Sequence, residues 1–495
     1  MSRLVAVSNR VSVPRRATPP GGLALGLNAA MHARGGLWFG WSGEVAEREP
    51  DAARIVLRDR IAYGTIELTR ADHDQYYLGF CNGALWPLFH YFLDAVHYHD
   101  EQYEAYLRVN RTFARKLQPH LRPDDLIWVH DYHLIPLAQS LRELGVQLPL
   151  GFFLHIPFPH IEALRALPVY GELMRALIDF DFIAFQTDRD LECFRSAVVD
   201  LWGPEAAGRD GSVMACGRRT ITDHIPIGVD VDAVNAAAVT AQGSDAVQRM
   251  VAGLAGRRCV IGVDRLDYSK GIVDRFHAYD RFLEAYPENQ GRVTFLQIAP
   301  LSRTDVRAYA QIRSTLEQAA GRTNGKFADT DWTPIRYLNR NYPHANVLGF
   351  MRSSLVGLVT PLRDGMNLVA KEFVAAQDPD DPGVLVLSTL AGAARELTSA
   401  LLVNPKDTLG VARAIQQALQ MRLPERRERH QQMLEVLRRN DLTAWHTRFI
   451  ERLQQTDAAA RTLAKPPSLQ GATPHAQRDD QQEEAERRRE LPAVE

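Results

Sequence analysis

The chain has 495 residues, of which 45% are hydrophobic and 24% charged, and a formal net charge of −2. That length exceeds what one core supports, so two or more domains of an ordinary globular protein are expected. The near-neutral charge argues against an electrostatic nucleic-acid binder, and Cys81, Cys193, Cys216 and Cys259 lack the C-x-x-C spacing of a zinc site or disulfide frame.

The N-terminus enters a strand at once, at Arg3–Asn9, which leaves no room for a signal peptide, and no apolar run reaches membrane-spanning length. A cytoplasmic chain with reduced thiols, meeting neither nucleic acid nor membrane, is therefore expected. Further strands are predicted at Ile55–Arg58, Gly64–Leu68, Leu126–His130, Leu150–His155 and Phe182–Gln186. Helices fall between them, as at Ile135–Leu144, where Ile135, Ala138 and Leu141 share a face. The glycine- and tryptophan-rich stretch Gly35–Glu44 reads as a packed loop anchored by Trp38 and Trp41. In the second half, strands are predicted at Cys259–Val263, Val293–Ile298, Leu355–Val359, Val384–Leu387 and Leu401–Val403. Between the first two, Phe276, Tyr279, Leu283 and Tyr286 recur at helical spacing. Strand–helix alternation predicts parallel sheets covered on both faces, so the fold class is α/β with two doubly wound domains. The expected division is 1–237, 238–440, a C-terminal amphipathic helix within 441–456, and a polar, disordered tail over 457–495.

The densest functional signal is Thr360–Glu372, TPLRDGMNLVAKE, between an apolar strand and a helix with Asn367 as N-cap. Unpaired amides at such a helix start face the crevice where α/β proteins bind anions. Gly365 would admit a ligand close to the backbone, Asp364 would accept from a sugar hydroxyl, and Glu372 lies one turn into the helix. This reads as the donor half of a sugar-nucleotide site. At the N-terminus, a strand delivers Arg10 into a loop returning through Gly21–Gly22 to a helix, again permitting a phosphate close to the backbone. His130 and His133 in HDYH lack a third ligand nearby, and the acidic pairs Asp188/Asp190 and Asp230/Asp232 read as solvated or capping carboxylates. No metal is expected.

VSNR, GGLWFGWSGE, NGALWPLFHY, VHDYHL, FFLHIPFP, DRLDYSKG, QIAPLSR and TPLRDGMNLVAKE occur in one order between about Ser2 and Gln455. Together they resemble the bacterial trehalose-6-phosphate synthases. That resemblance implies a GT-B architecture, two Rossmann-like domains facing across a cleft. It also implies retaining transfer of glucose from UDP-glucose to glucose 6-phosphate without metal or other cofactor, in a homo-oligomer, a tetramer in relatives. Arg10, Tyr77, Asp131 and Arg303 match the family's acceptor contacts; Trp86 and Ile156 match positions tied to anomer selectivity. Arg265 and Lys270 match its diphosphate-binding pair, where two cations would stabilise the charge of the departing UDP. His155 and Asp364 would position the donor sugar. The remaining donor contacts implied are Gly21, Gly22, Tyr342, Gly365, Met366, Asn367, Leu368, Val369, Ala370, Lys371 and Glu372. Tyr342 stands where the family usually has phenylalanine, and the loop Val11–Pro20 is richer in Pro and Arg. Alternatives are a glucosylglycerol-phosphate synthase, a silent sugar-phosphate sensor, and a Rossmann dehydrogenase, whose G-x-G-x-x-G is absent after the first strand.

Overall fold

The first strand opens on an unbroken apolar run, Leu4 to Val7, because it is buried on both faces: Val5 and Val7 enter one core, Leu4 and Ala6 another. The computed structural model describes residues 2–11, 13, 22–208, 210–300 and 307–456. Arg303, Gly21, most of the 11–20 loop and the 457–495 tail lie outside the described residues, as do the side chains of 22–25.

Two sheets are present. The first holds β1 (Leu4–Arg10), β2 (Gly36–Ala46), β3 (Arg54–Arg58), β4 (Ile61–Thr69), β5 (Leu126–His130), β6 (Leu150–Phe153), β7 (Phe182–Phe185), β8 (Ser212–Ala215) and β9 (Arg218–His224), ordered β3-β4-β2-β1-β5-β6-β7-β9-β8. Its pairings are parallel except β3–β4 and β8–β9. The second holds β10 (Arg258–Val263), β11 (Val293–Ile298), β12 (Ile335–Leu338), β13 (Val356–Val359), β14 (Val384–Ser388) and β15 (Leu401–Val403), ordered β12-β11-β10-β13-β14-β15 and wholly parallel. The strand order reverses between β1 and β5 in the first sheet and between β10 and β13 in the second. Crevices for ligands open at the carboxyl ends of strands at such switch points.

Several elements differ from the sequence expectation. Gly35–Glu44 is not a loop: it supplies most of β2, with Trp38 and Trp41 buried. Its glycines let β2 lie against β1, since a Cβ at Gly36 or Gly40 would sit 2.1 Å from the carbonyl oxygen of Leu4 or Ser8. β6 stops at Phe153, leaving His155 in the following loop, and the helix expected from Ile135 runs Leu137–Glu143. β8, β9 and β12 are additional strands. The small-residue stretch around Ala236–Ser244 is helical over Val231–Ala241, capped by Asp230, and a second helix starts at Asp245.

The helix Leu442–Gln454, capped by Asp441, packs on the first sheet. Phe449 stacks on Trp128 with centroids 4.5 Å apart, and Trp445 meets Phe153 edge-on at 5.3 Å. Gly151 makes room: a Cβ there would lie 2.8 Å from the Phe449 ring.

Candidate active site

The turn after β13 carries the organising stretch. Asn367 adopts a left-handed backbone (φ 82°) and its side chain accepts from the Ala370 amide, so it is the N-cap of the helix Leu368–Ala376. The amides of Leu368 and Val369, in the first turn, have no partner four residues back. Asn367 Nδ2 also donates to Asp364 Oδ2 at 3.0 Å, and Lys270 Nζ, from the loop after β10, donates to the same oxygen at 2.5 Å. Burial pushes the Asp364 carboxyl up, but Lys270, His90 and Asn367 outweigh it and hold it below its ordinary value. The two loops are bonded together: the amides of Leu362 and Arg363 both donate to the Ser269 carbonyl. Gly271, left-handed at φ 62°, allows this approach, since a Cβ there would lie 2.6 Å from the Thr360 carbonyl oxygen. Arg265 is exposed, with no ion-pair partner among the described residues.

Four expected donor contacts are placed otherwise. Gly365 approaches protein, not open space: its Cβ would sit 2.3 Å from the His155 carbonyl oxygen and 3.0 Å from Ile156 Cα, so this glycine joins the two walls of the cleft. Lys371 points away from the crevice, fully buried, its Nζ donating to the Ile227 carbonyl at 2.7 Å and to Glu396 Oε2 at 2.5 Å. The Ala370 amide is consumed by the Asn367 cap, and Met366 is buried in the core beside it. Glu372 accepts from His344 Nε2 at 2.9 Å, and that bond, opposed by burial, raises the imidazole's pKa. Tyr342 packs edge-on against Phe350, with the Arg340 guanidinium 5.0 Å over its ring.

The facing wall is built from the carboxyl ends of β1, β5 and β6. Arg10, at the end of β1, lies 5.8 Å over Trp41 and against Gly43, where a Cβ would clash with its guanidinium. Tyr77, on the π-helix His73–Leu85, stacks on His133 at 6.0 Å and meets the tilted Trp41 ring at 5.5 Å. Asp131, just past β5, has a positive φ of 75°, and its Oδ1 accepts from the His155 amide. His155 Nε2 lies 3.1 Å from His130 Nδ1; burial drives His155 down to about 3 and His130 well below its usual range, so both rings are neutral at pH 7. Ile156, next to His155 in the chain, is buried, and Trp86 is buried against Tyr132.

His90, within the NGALWPLFHY motif but given no role by the sequence, is a further functional neighbour. Its Nδ1 donates to the Trp86 carbonyl at 2.8 Å and its ring lies 4.2 Å from the Trp86 ring, a contact set by their i, i+4 spacing. Burial lowers it to about 4, with Asp267, Lys270 and Asp364 all close enough to act on its charge. It thus faces the donor pair from the opposite wall. Among the described residues no group of three or more His, Cys, Asp or Glu could hold a metal, and no helix is long and apolar enough to cross a membrane.

The sequence model of glycosyltransferase family 20 matches residues 8–455. A trehalose-6-phosphate synthase from Cronobacter sakazakii is 49% identical over 459 residues, 92% of this chain and 96% of that one. The crystal structure of an α,α-trehalose-phosphate synthase (UDP-forming) from Burkholderia vietnamiensis is 51% identical, with a TM-score of 0.90 over 93% of this chain and 98% of that one. Another such synthase from Burkholderia xenovorans, in complex with glucose 6-phosphate, is 48% identical with a TM-score of 0.88, covering 91% of this chain and all of that one. The two parallel-sheet domains are therefore those of the GT-B architecture. With the switch-point loops of both sheets facing one cleft and the match running from β1 to the C-terminal helix, the chain belongs to glycosyltransferase family 20.

Proposed function

We infer that this chain is a retaining glucosyltransferase that moves glucose from UDP-glucose to glucose 6-phosphate, giving α,α-trehalose 6-phosphate and UDP. The observation that carries this reading is the Lys270–Asp364 pair at the switch point of one sheet, opposite Asp131 and His155 at the strand ends of the other.

In this reading Asp364, held by Lys270 and Asn367, orients the donor glucose, with the amides of Leu368 and Val369 facing sugar and diphosphate. Arg265 and Lys270 stabilise the charge that develops on the departing UDP. Glu372 meets the ribose hydroxyls and Tyr342 the base. Arg10 and Arg303 take the acceptor phosphate; Tyr77 and Asp131 hold the acceptor ring; Trp86 and Ile156 shape the pocket for one anomer. As the glucose C1–O bond to the diphosphate breaks, the acceptor's anomeric hydroxyl oxygen bonds to C1 from the same face. Its proton passes to the leaving phosphate oxygen. His155, neutral and buried, supplies shape and a hydrogen bond. Neither it nor Asp364 is needed as a base or nucleophile.

The reading includes a domain division at the crossing near Ile227, ahead of the helix Val231–Ala241 that spans the expected boundary at 237, together with action in the cytoplasm as a homotetramer and turnover without metal. One assay matrix tests the central claim: UDP-, ADP- and GDP-glucose, each with glucose 6-phosphate or glycerol 3-phosphate, with product identified. UDP-glucose with glucose 6-phosphate is expected to give trehalose 6-phosphate; its absence from every combination would refute the reading. The same assay in EDTA, with the mass of the particle in solution, checks the metal and the assembly.

A further inference from the structure

Arg275 is a residue that no motif reading touched. It lies in the helix Ile272–Ala285, its side chain entirely buried, beneath the carboxyl ends of three adjacent strands. Its Nη1 donates to Asp264 Oδ2 at 2.6 Å, just past β10, and to Gln297 Oε1 at 2.9 Å, within β11. Its Nε donates to Thr360 Oγ1 at 3.0 Å, the residue that follows β13 and opens the donor turn. Its Nη2 reaches the carbonyl oxygen of Lys270 at 3.3 Å. Space for the guanidinium is built in: a Cβ at Gly262 would lie 2.7 Å from Nη1 and 2.4 Å from Gln297 Oε1.

We propose that Arg275 is a positioning residue that sets the spacing between the two loops of the donor site. It touches one loop at the Lys270 carbonyl and the other at the Thr360 hydroxyl, and its remaining bonds fix it to β10 and β11. The planar fork is suited to this, because its donors leave in fixed directions and cannot follow one partner while abandoning another. A buried ion pair is in general no more stabilising than a well-packed apolar pair, so stability alone gives little reason for Arg275–Asp264 at the centre of this sheet. The geometry does: both loops that carry the Lys270–Asp364 contact are referred to one rigid group.

This inference rests on the glucosyltransferase reading above, and the experiment separates the two. Arg275→Lys keeps the charge opposite Asp264 but cannot span Thr360 and the Lys270 carbonyl together. Its kcat at saturating donor is expected to fall roughly tenfold or more, since displacement of about 1 Å at a reacting centre costs up to ~10²-fold. In a Lys270→Ala background the same change should lower kcat less than threefold, because the group being positioned is already gone. A purely structural residue would lower the unfolding midpoint equally in both backgrounds with no such dependence in kcat. Thr360→Val, which removes one acceptor at nearly constant volume, is the companion variant and should follow the same pattern at smaller amplitude; it decides the matter should Arg275→Lys not fold. Wild-type kcat in the variant that folds, or equal fold-losses in both backgrounds, overturns the proposal. Absence of trehalose 6-phosphate from the wild-type protein would instead defeat the reading of the site, and UDP binding by calorimetry then carries the same two-background comparison.

Discussion

Replacing Lys270 by methionine separates the energetic and chemical roles of the donor pair. In the wild type its Nζ is 2.5 Å from Asp364 Oδ2, with side-chain exposures of 11% and 14%. Without the ammonium, the Asp364 carboxylate keeps Asn367 as its direct partner, and burial then drives its pKa upward. Stripping one partner from a buried pair costs about 3–5 kcal/mol; at the border of a cleft the lower figure, about 3, is expected. Turnover should fall by about 10²–10³, the loss of one donor to developing charge. The double variant Lys270→Met/Asp364→Asn should regain most of the stability and none of the activity. The pH sign follows from the direction of the shift. A carboxyl held low in the native state contributes stability above its ordinary pKa of about 4, and loses it as pH falls through the native value. The stability gap between wild type and Lys270→Met should therefore close toward pH 3. Urea unfolding at several pH values and UDP release at saturating substrate read both quantities. A turnover within tenfold of wild type, or a double variant no more stable than the single, would refute the reasoning.

Gly365→Ala places a methyl 2.3 Å from the His155 carbonyl oxygen, so the walls must part; steady-state kinetics should show kcat/KM down by at least roughly tenfold, as for a displaced reacting geometry. The His344–Glu372 bond raises the imidazole pKa, so its stabilising contribution is complete below the unfolded value and fades as pH rises through the native one. His344→Gln should remove that pH dependence from the unfolding midpoint, and a donor KM altered in the same variant would show that Glu372 is the group affected. His90 at about 4, His155 at about 3 and His130, held well below its usual range by burial, are neutral when folded and protonate on unfolding. Stability should thus fall as pH drops from about 6.5 towards 4, with an uptake of up to about three protons, measurable from the slope of unfolding free energy against pH.

The central strands were legible because burial on both faces leaves a continuous apolar run: β1, β5, β11 and β14 were found nearly to the residue. β2 was hidden by its own packing device, since the glycines that let it approach β1 look like a loop in sequence. β9 (RRTITDH) carries too few apolar residues to stand out, and β12 (IRYL) is only four residues long and mostly half-buried. At the site, Asn367 was readable as a cap because capping is local chemistry. Gly365 and Lys371 were misplaced because their partners, His155 and Ile227, lie far off in sequence on the other half of the molecule. His90 and Arg275 were missed for the same reason: each acts through residues that only the closed topology brings near.

The displaced Lys371 explains how the donor helix is fixed. Its ammonium bonds the Ile227 carbonyl, and Glu396, its other partner, also accepts from Asn440 Nδ2. Ile227 and Asn440 lie on the two segments by which the chain passes between the halves, and those segments touch: a Cβ at Gly228 would lie 2.1 Å from the Asn440 carbonyl oxygen. Burial lowers the Lys371 pKa and Glu396 works against it, so the two buried charges depend on each other as partners. Just ahead of this helix, the preceding turn meets the His155 loop through Gly365. The Leu368–Ala376 helix is thus held at both crossings and at the cleft floor, so any rotation of one half against the other must move the Asp364 turn relative to Asp131 and His155.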